Sequence, residues 1–104
     1  MIDLDKKHLE TVARILAEQT PECEAWAFGS RVEGTAKKYS DLDLAVFGRF
    51  DAKKLEELRL AFSESDLPMT VDVVDFNAVS ENFKEIIRRR HEVIQTPADS
   101  KGKK

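Results

Sequence analysis

The sequence has one cysteine, Cys23, so it cannot close an intramolecular disulfide. That suits a reducing cytoplasm, which is the expected location. Histidine is almost as scarce: His8 and His91 stand far apart and assemble no zinc motif with the lone cysteine. Positive charge is not in excess. The 17 Lys+Arg face 20 Asp+Glu, a formal net charge of −3, so the broad basic face that duplex nucleic acid requires is missing. One small anionic ligand is still allowed, because a metal ion can carry its phosphates. No apolar run is long enough to span a bilayer, and no membrane partner is expected. The opening Met1-Ile2-Asp3-Leu4-Asp5 has neither a basic n-region nor an apolar h-region, so no signal peptide is expected.

The composition is that of an ordinary soluble domain, with 41% hydrophobic and 36% charged residues in 104. The length allows one domain with a modest core, expected over residues 1–96. Residues 97–104 are expected to form a disordered basic tail.

Leu9, Val12, Ala13 and Leu16 recur at helical spacing and predict a helix from Asp5, its N-cap, to Gln19. Ala25-Trp26-Ala27-Phe28, stopped by Gly29, reads as a buried strand, followed by one or two helical turns from Ser30. Leu42–Phe47 reads as a second strand ended by Gly48. Asp51 caps a helix to about Ser63, with Leu55, Leu58 and Phe62 on one face. Met69–Phe76 reads as a third strand. Ser80 opens a last helix with Phe83, Ile86 and Ile87 facing inward, and Glu92–Gln95 reads as a short final strand. Alternating strands and helices predict an α/β fold, a small sheet with helices packed on it.

Three carboxylates break the local pattern. Asp41 and Asp43 flank Leu42 at the mouth of a strand, and strand alternation points both the same way. Asp72 lies inside another strand, between Val71 and Val73, where aspartate is disfavoured. Breaks of this kind are expected at functional sites. Like charges brought together repel unless a cation joins them, and oxygen-only ligands suit Mg²⁺ or Mn²⁺. The second element is Gly29-Ser30 at a strand-to-helix turn. Gly29 lets the backbone approach a ligand, and the amides of Ser30 and Arg31 at a helix start favour phosphate. Ser30 adds a hydroxyl and Arg31 a charge, although a plain surface charge at Arg31 is an equal reading.

Phe28-Gly29-Ser30-Arg31-Val32-Glu33-Gly34-Thr35-Ala36, with Ser40-Asp41-Leu42-Asp43-Leu44 following, resembles the signature of the DNA polymerase β-like nucleotidyltransferase superfamily. Spacing and length most resemble its minimal branch, MNT, and Val71-Asp72-Val73-Val74 is similar to the strand carrying that family's third acidic residue. The resemblance implies the polymerase β-like fold, with a mixed sheet. It implies that Gly29 and Ser30 hold the β- and γ-phosphates of ATP. Asp41 and Asp43 would bind two Mg²⁺ ions, and Asp72 would bind one and help deprotonate the attacking hydroxyl. Asp75 is the rival third carboxylate; Asp72 is preferred for its apolar flanks and its match to the family.

Minimal members are commonly paired with a small helical HEPN protein. The resemblance therefore implies an antitoxin that transfers AMP onto a hydroxyl of a HEPN-type toxin, tyrosine being the expected acceptor. Two alternatives stand beside it: a binding module that neutralises a helical partner with little or no catalysis, and a small-molecule nucleotidyltransferase. Asp-x-Asp also occurs in haloacid-dehalogenase-like phosphatases and metal-dependent glycosyltransferases, but neither explains Gly29-Ser30. Trp26 is expected in the core. Lys37, Lys38 and Arg88–Arg90 are expected as solvated charges.

Overall fold

The computed structural model of the chain describes residues 2–97, so the tail expected over 97–104 falls outside the described residues from position 98 on. The elements run α1 (Lys6–Gln19), β1 (Glu24–Phe28), α2 (Ser30–Glu33), β2 (Leu42–Phe47), α3 (Ala52–Ser63), β3 (Val71–Asp75), a 3-10 turn (Phe76–Ala78), α4 (Glu81–Arg89) and β4 (Glu92–Gln95). None of the described helices is long and apolar enough to cross a membrane.

Local chemistry sets most of these boundaries. The Asp51 carboxylate accepts the Lys54 amide at 2.8 Å, and the Ser80 hydroxyl accepts the Phe83 amide at 3.1 Å, so α3 and α4 begin where a side chain replaces a missing carbonyl. Asp5 occupies the N-cap of α1 as expected, but without a side-chain cap bond, its carboxylate lying 3.9 Å from His8 instead. The third strand is also shorter than its apolar run. Thr70 contributes only a carbonyl, to the Leu42 amide, and strand geometry starts at Val71. At the other end Asp75 accepts the Asn77 amide at 2.9 Å, an Asx turn that diverts Phe76 into the 3-10 turn.

The sheet order is β3-β2-β1-β4, with β1 antiparallel to both neighbours and β2 parallel to β3, a mixed sheet. Side-chain alternation gives it two unlike faces. On one, α1 and α3 bring Val12, Leu16, Leu58 and Phe62 against Ala27, Leu44, Val46 and Val73. This is the main core, and each fully buried aliphatic side chain there contributes about 1.5–3 kcal/mol. Arg59 of α3 also donates to the Val73 carbonyl at 2.9 and 3.2 Å, closing part of the outer edge of β3.

The second face is covered more sparingly. Ile87 of α4 is fully buried against Phe28, Ala45 and Phe76. Trp26 packs beside them, its ring stacked on His91 at 3.7 Å and edge-on to Phe47 at 4.6 Å. Nine residues of helix span about 14 Å, which is too short to roof the whole face. The end carrying Asp43 and Asp72 is left accessible: Asp72 is exposed and Asp43 half-buried. α4 itself departs from expectation. Ile87 faces inward, whereas its neighbour Ile86 is 54% exposed.

Candidate functional site

The open end of the second face is built by register. Parallel pairing sets Asp43 of β2 directly beside Asp72 of β3, and antiparallel pairing sets Phe28 of β1 on the other side of Asp43. The residue after Phe28 is Gly29, whose φ of 84° and ψ of −156° lie in a region that is essentially glycine-only. That geometry drives the turn into α2 across the Asp43 carboxylate. A Cβ on Gly29 would stand 2.4 Å from Asp43 Oδ2. Glycine is therefore required twice, by backbone angle and by contact.

Asp41 precedes β2 and is exposed, near enough for its charge to act on Asp43. Asp75, the rival carboxylate, lies on the opposite face from Asp72, pairs with Val46 and is spent on its Asx turn. Ser30 opens α2 half-buried, and its carbonyl takes the amides of Gly34 and Thr35 at 3.1 Å. The first amides of a helix have no acceptor within it, which leaves those of Ser30 and Arg31 for a ligand.

The Arg31 side chain does not join this group, which corrects its expected phosphate contact. It is 6% exposed, and its guanidinium donates to the carbonyls of Ser40 (3.0 and 2.9 Å), Asp3 (2.8 Å) and Lys38 (3.3 Å). It ties the loop that delivers Asp41 to the N-terminal segment. Arg31→Met is expected to destabilise the fold by about 3 kcal/mol, since charged hydrogen bonds to carbonyls are lost and the acceptors stay partly buried. Urea denaturation checks this; a variant of native stability that had lost nucleotide affinity would instead place the guanidinium on phosphate.

Electrostatics mark the carboxylates. Burial, then the charges of Asp72 and Asp41, push Asp43 up to about 6. A carboxyl whose folded pKa exceeds its unfolded value makes stability fall as pH rises between the two, here from about 4 to about 6. Asp43→Asn is therefore expected to be more stable than the wild type at neutral pH without metal, the difference closing toward pH 4. Thermal unfolding of both proteins across that range checks the sign. The Cys23 thiol is pushed up by burial and by the carboxylates of Glu22 and Asp75, which argues against a nucleophile there.

The donor chemistry fits a hard divalent cation: oxygen atoms only, like charges near one another, and one carboxyl raised by burial and then by those charges. Among the described residues no three acidic, cysteine or histidine side chains form a group that could hold a metal ion by themselves. Mg²⁺ needs only one or two carboxylates where substrate phosphates and water fill the rest of its shell. Asp43, Asp72 and Gly29 open into a cleft of about 310 Å³, whose other walls include Phe28, Phe83 and Ile86. Sequence reasoning expected Phe28 in a buried strand and Phe83 and Ile86 on the inner face of α4, and none of them as a wall of the site.

The family model for "Polymerase beta, Nucleotidyltransferase" matches residues 10–99. The chain belongs to the polymerase beta nucleotidyltransferase family. A relative from Haemophilus influenzae, described as a probable protein adenylyltransferase MntA, is 49% identical over 96 residues, which is 90% of this chain and 84% of that one. Among solved structures, a toxin–antitoxin crystallised with AMP-PNP superposes with a TM-score of 0.72 at 23% identity, covering 88% of this chain and 76% of that one. A Shewanella oneidensis complex of a tri-AMPylated HEPN toxin with an MNT antitoxin gives a TM-score of 0.66 at 19% identity, covering 95% and 78%. These structures share the nucleotidyltransferase fold with the chain: a four-stranded mixed sheet with helices packed on it.

Proposed function

We propose that the chain transfers AMP from ATP onto a hydroxyl of a partner protein, and that the partner is a HEPN-type toxin which the modification silences. The observation that carries this reading is the in-register pair Asp43–Asp72 with Gly29 packed against the Asp43 carboxylate, in a chain half identical to a protein described as an adenylyltransferase.

In this reading Gly29 and Ser30 hold the triphosphate at the start of α2. Asp41, Asp43 and Asp72 hold Mg²⁺, which when bound neutralises charge on the attacking and leaving oxygens. The acceptor hydroxyl oxygen forms a bond to the α-phosphorus, the bond to the β-phosphate oxygen breaks, and pyrophosphate leaves. Asp72, exposed and unroofed, receives the hydroxyl proton and passes it to water. Desolvated Asp43 stays a ligand; no general-base role is needed from it. The lone cysteine suits work in the cytoplasm.

Calorimetric titration with a non-hydrolysable ATP analogue tests the site. Binding that depends on Mg²⁺ and vanishes in Asp41→Asn/Asp43→Asn supports the reading. Binding indifferent to both would leave a protein that grips its partner without using the carboxylates.

A further inference from the structure

We infer that the turn carrying Tyr39 docks the acceptor protein: the Tyr39 ring and the hollow beside it take an apolar side chain of that protein, and Lys38 faces a carboxylate next to it. This rests on the nucleotidyl-transfer reading above. The starting observation is how Tyr39, the one tyrosine of the sequence, is presented. It is 73% exposed, more than any other large apolar or aromatic side chain among those described. A single exposed apolar side chain is ordinary. One displayed on a fixed backbone is not. The Lys37 carbonyl accepts the Ser40 amide at 3.1 Å, and the Ser40 hydroxyl accepts the Lys37 amide at 2.8 Å, which closes a β-turn with Lys38 and Tyr39 at its tip. The buried Arg31 guanidinium donates to the carbonyls of Lys38 and Ser40, one on each side of Tyr39. The turn is therefore held from inside while its ring points outward. Little ordering is left for a partner to impose, and tyrosine is among the residues that most often anchor protein interfaces.

Beside the ring lies a hollow of about 270 Å³ with Leu4, Pro68 and Met69 among its walls. That is below the usual size of a small-ligand pocket and enough for a protein side chain. Lys38 lines it from the turn, its ammonium 5.4 Å from the centre of the Tyr39 ring, whereas Asp3 and Asp5 line it from the N-terminal segment. The occupant that suits both rims is an apolar side chain with a carboxylate on its Lys38 side. No residue of this hollow lines the carboxylate cleft. The two are joined by the chain: Tyr39 stands two residues before Asp41, at most about 7 Å of backbone. A protein seated on the turn lies at the rim of the metal site, near enough to offer it a hydroxyl, and leaves the cleft to ATP.

The test is steady-state AMP transfer by the full chain to a HEPN-type protein from the same cell, at saturating Mg²⁺ and ATP, beside titration with a non-hydrolysable ATP analogue. Tyr39→Ala removes an exposed ring and leaves the backbone bonds of the turn in place. It is expected to raise KM for the protein about thirtyfold, the effect of truncating an interface anchor, with kcat and the Kd of the analogue unchanged. Tyr39→Phe keeps the ring and is expected to keep the KM. Lys38→Glu is expected to raise KM at low salt, the difference shrinking as salt is added. Unchanged KM in Tyr39→Ala overturns the inference and leaves the transfer reading standing. A lowered kcat or a weakened analogue at unchanged KM also overturns it, because the turn would then act through Asp41. A Lys38→Glu effect indifferent to salt overturns the carboxylate assigned to the occupant. A wild-type chain that labels no hydroxyl of the protein overturns the transfer reading and this inference together.

Discussion

Asp43→Asn is expected to lower AMP transfer about a thousandfold or more while leaving a folded protein. Asp43 sits between Phe28 and Asp72 in the sheet, half-buried, with its carboxylate under Gly29. Asparagine has the same shape, so the strand pairing has no reason to change. What is lost is a negative oxygen that, in the proposed site, would hold the cation. Metal stabilisation of a phosphoryl transition state is worth several kcal/mol, and each 1.36 kcal/mol is a factor of ten, which sets the expected loss at about three decades. Removing a charge that burial, and then repulsion from Asp72 and Asp41, disfavours makes the metal-free variant more stable above pH 6 as it becomes less active. Opposite signs for stability and turnover separate a site residue from a structural one. A single-turnover assay beside thermal unfolding checks both; a variant that is destabilised and still active would place Asp43 in the scaffold alone.

The second large effect is expected at Gly29→Ala. The backbone angles cost an L-residue about 1–3 kcal/mol, and the new methyl would stand 2.4 Å from Asp43 Oδ2. One of the two must move. If the turn yields, the first amides of α2 are displaced; if Asp43 yields, the carboxylate pair separates. Either route removes nucleotide binding, so the expected result is a lower melting temperature together with loss of Mg²⁺-dependent affinity. Substitution of Gly34, also at a φ of 84° but with open space around its Cβ position, is the control. Its ψ of 15° puts it in the ordinary left-handed region, so it carries a milder backbone strain and no contact, and is expected to lose some stability and keep affinity. Equal loss of affinity at both positions would show that the contact with Asp43 is not what the effect depends on.

Much of this arrangement was readable from residue order. β2 spans Leu42–Phe47 as its alternation and the following Gly48 predict, and α3 starts after the Asp51 cap. Strand alternation alone places Asp41 and Asp43 on one side. The pairing of Asp43 with Asp72 depends on β2 and β3 being parallel and in one particular register, which no local pattern specifies. The same limit explains Arg31. A guanidinium two residues beyond Gly29 reads as a phosphate ligand until the chain brings the Asp3, Lys38 and Ser40 carbonyls around it. Asp75 was ambiguous for a local reason: its carboxylate turns back onto the Asn77 amide, an Asx turn that shortens the apolar run Met69–Phe76 to a strand of five residues. Ile86 was misplaced because Phe83, Ile86 and Ile87 have the i, i+3, i+4 spacing of one apolar helix face, and nothing local shows that the sheet covers Ile87 and leaves Ile86 exposed.

The most direct measurement is AMP transfer itself. The purified chain, Mg²⁺ and ATP labelled at the α-phosphate are incubated with a HEPN-type protein from the same cell, and label on the protein is followed by mass spectrometry. The account predicts AMP on a hydroxyl side chain of the partner, pyrophosphate released in equal amount, and neither product with Asp41→Asn/Asp43→Asn. Partner activity silenced without any adduct, equally by the wild type and by the carboxylate variant, would contradict it and make the chain a binding protein that keeps the fold of an enzyme.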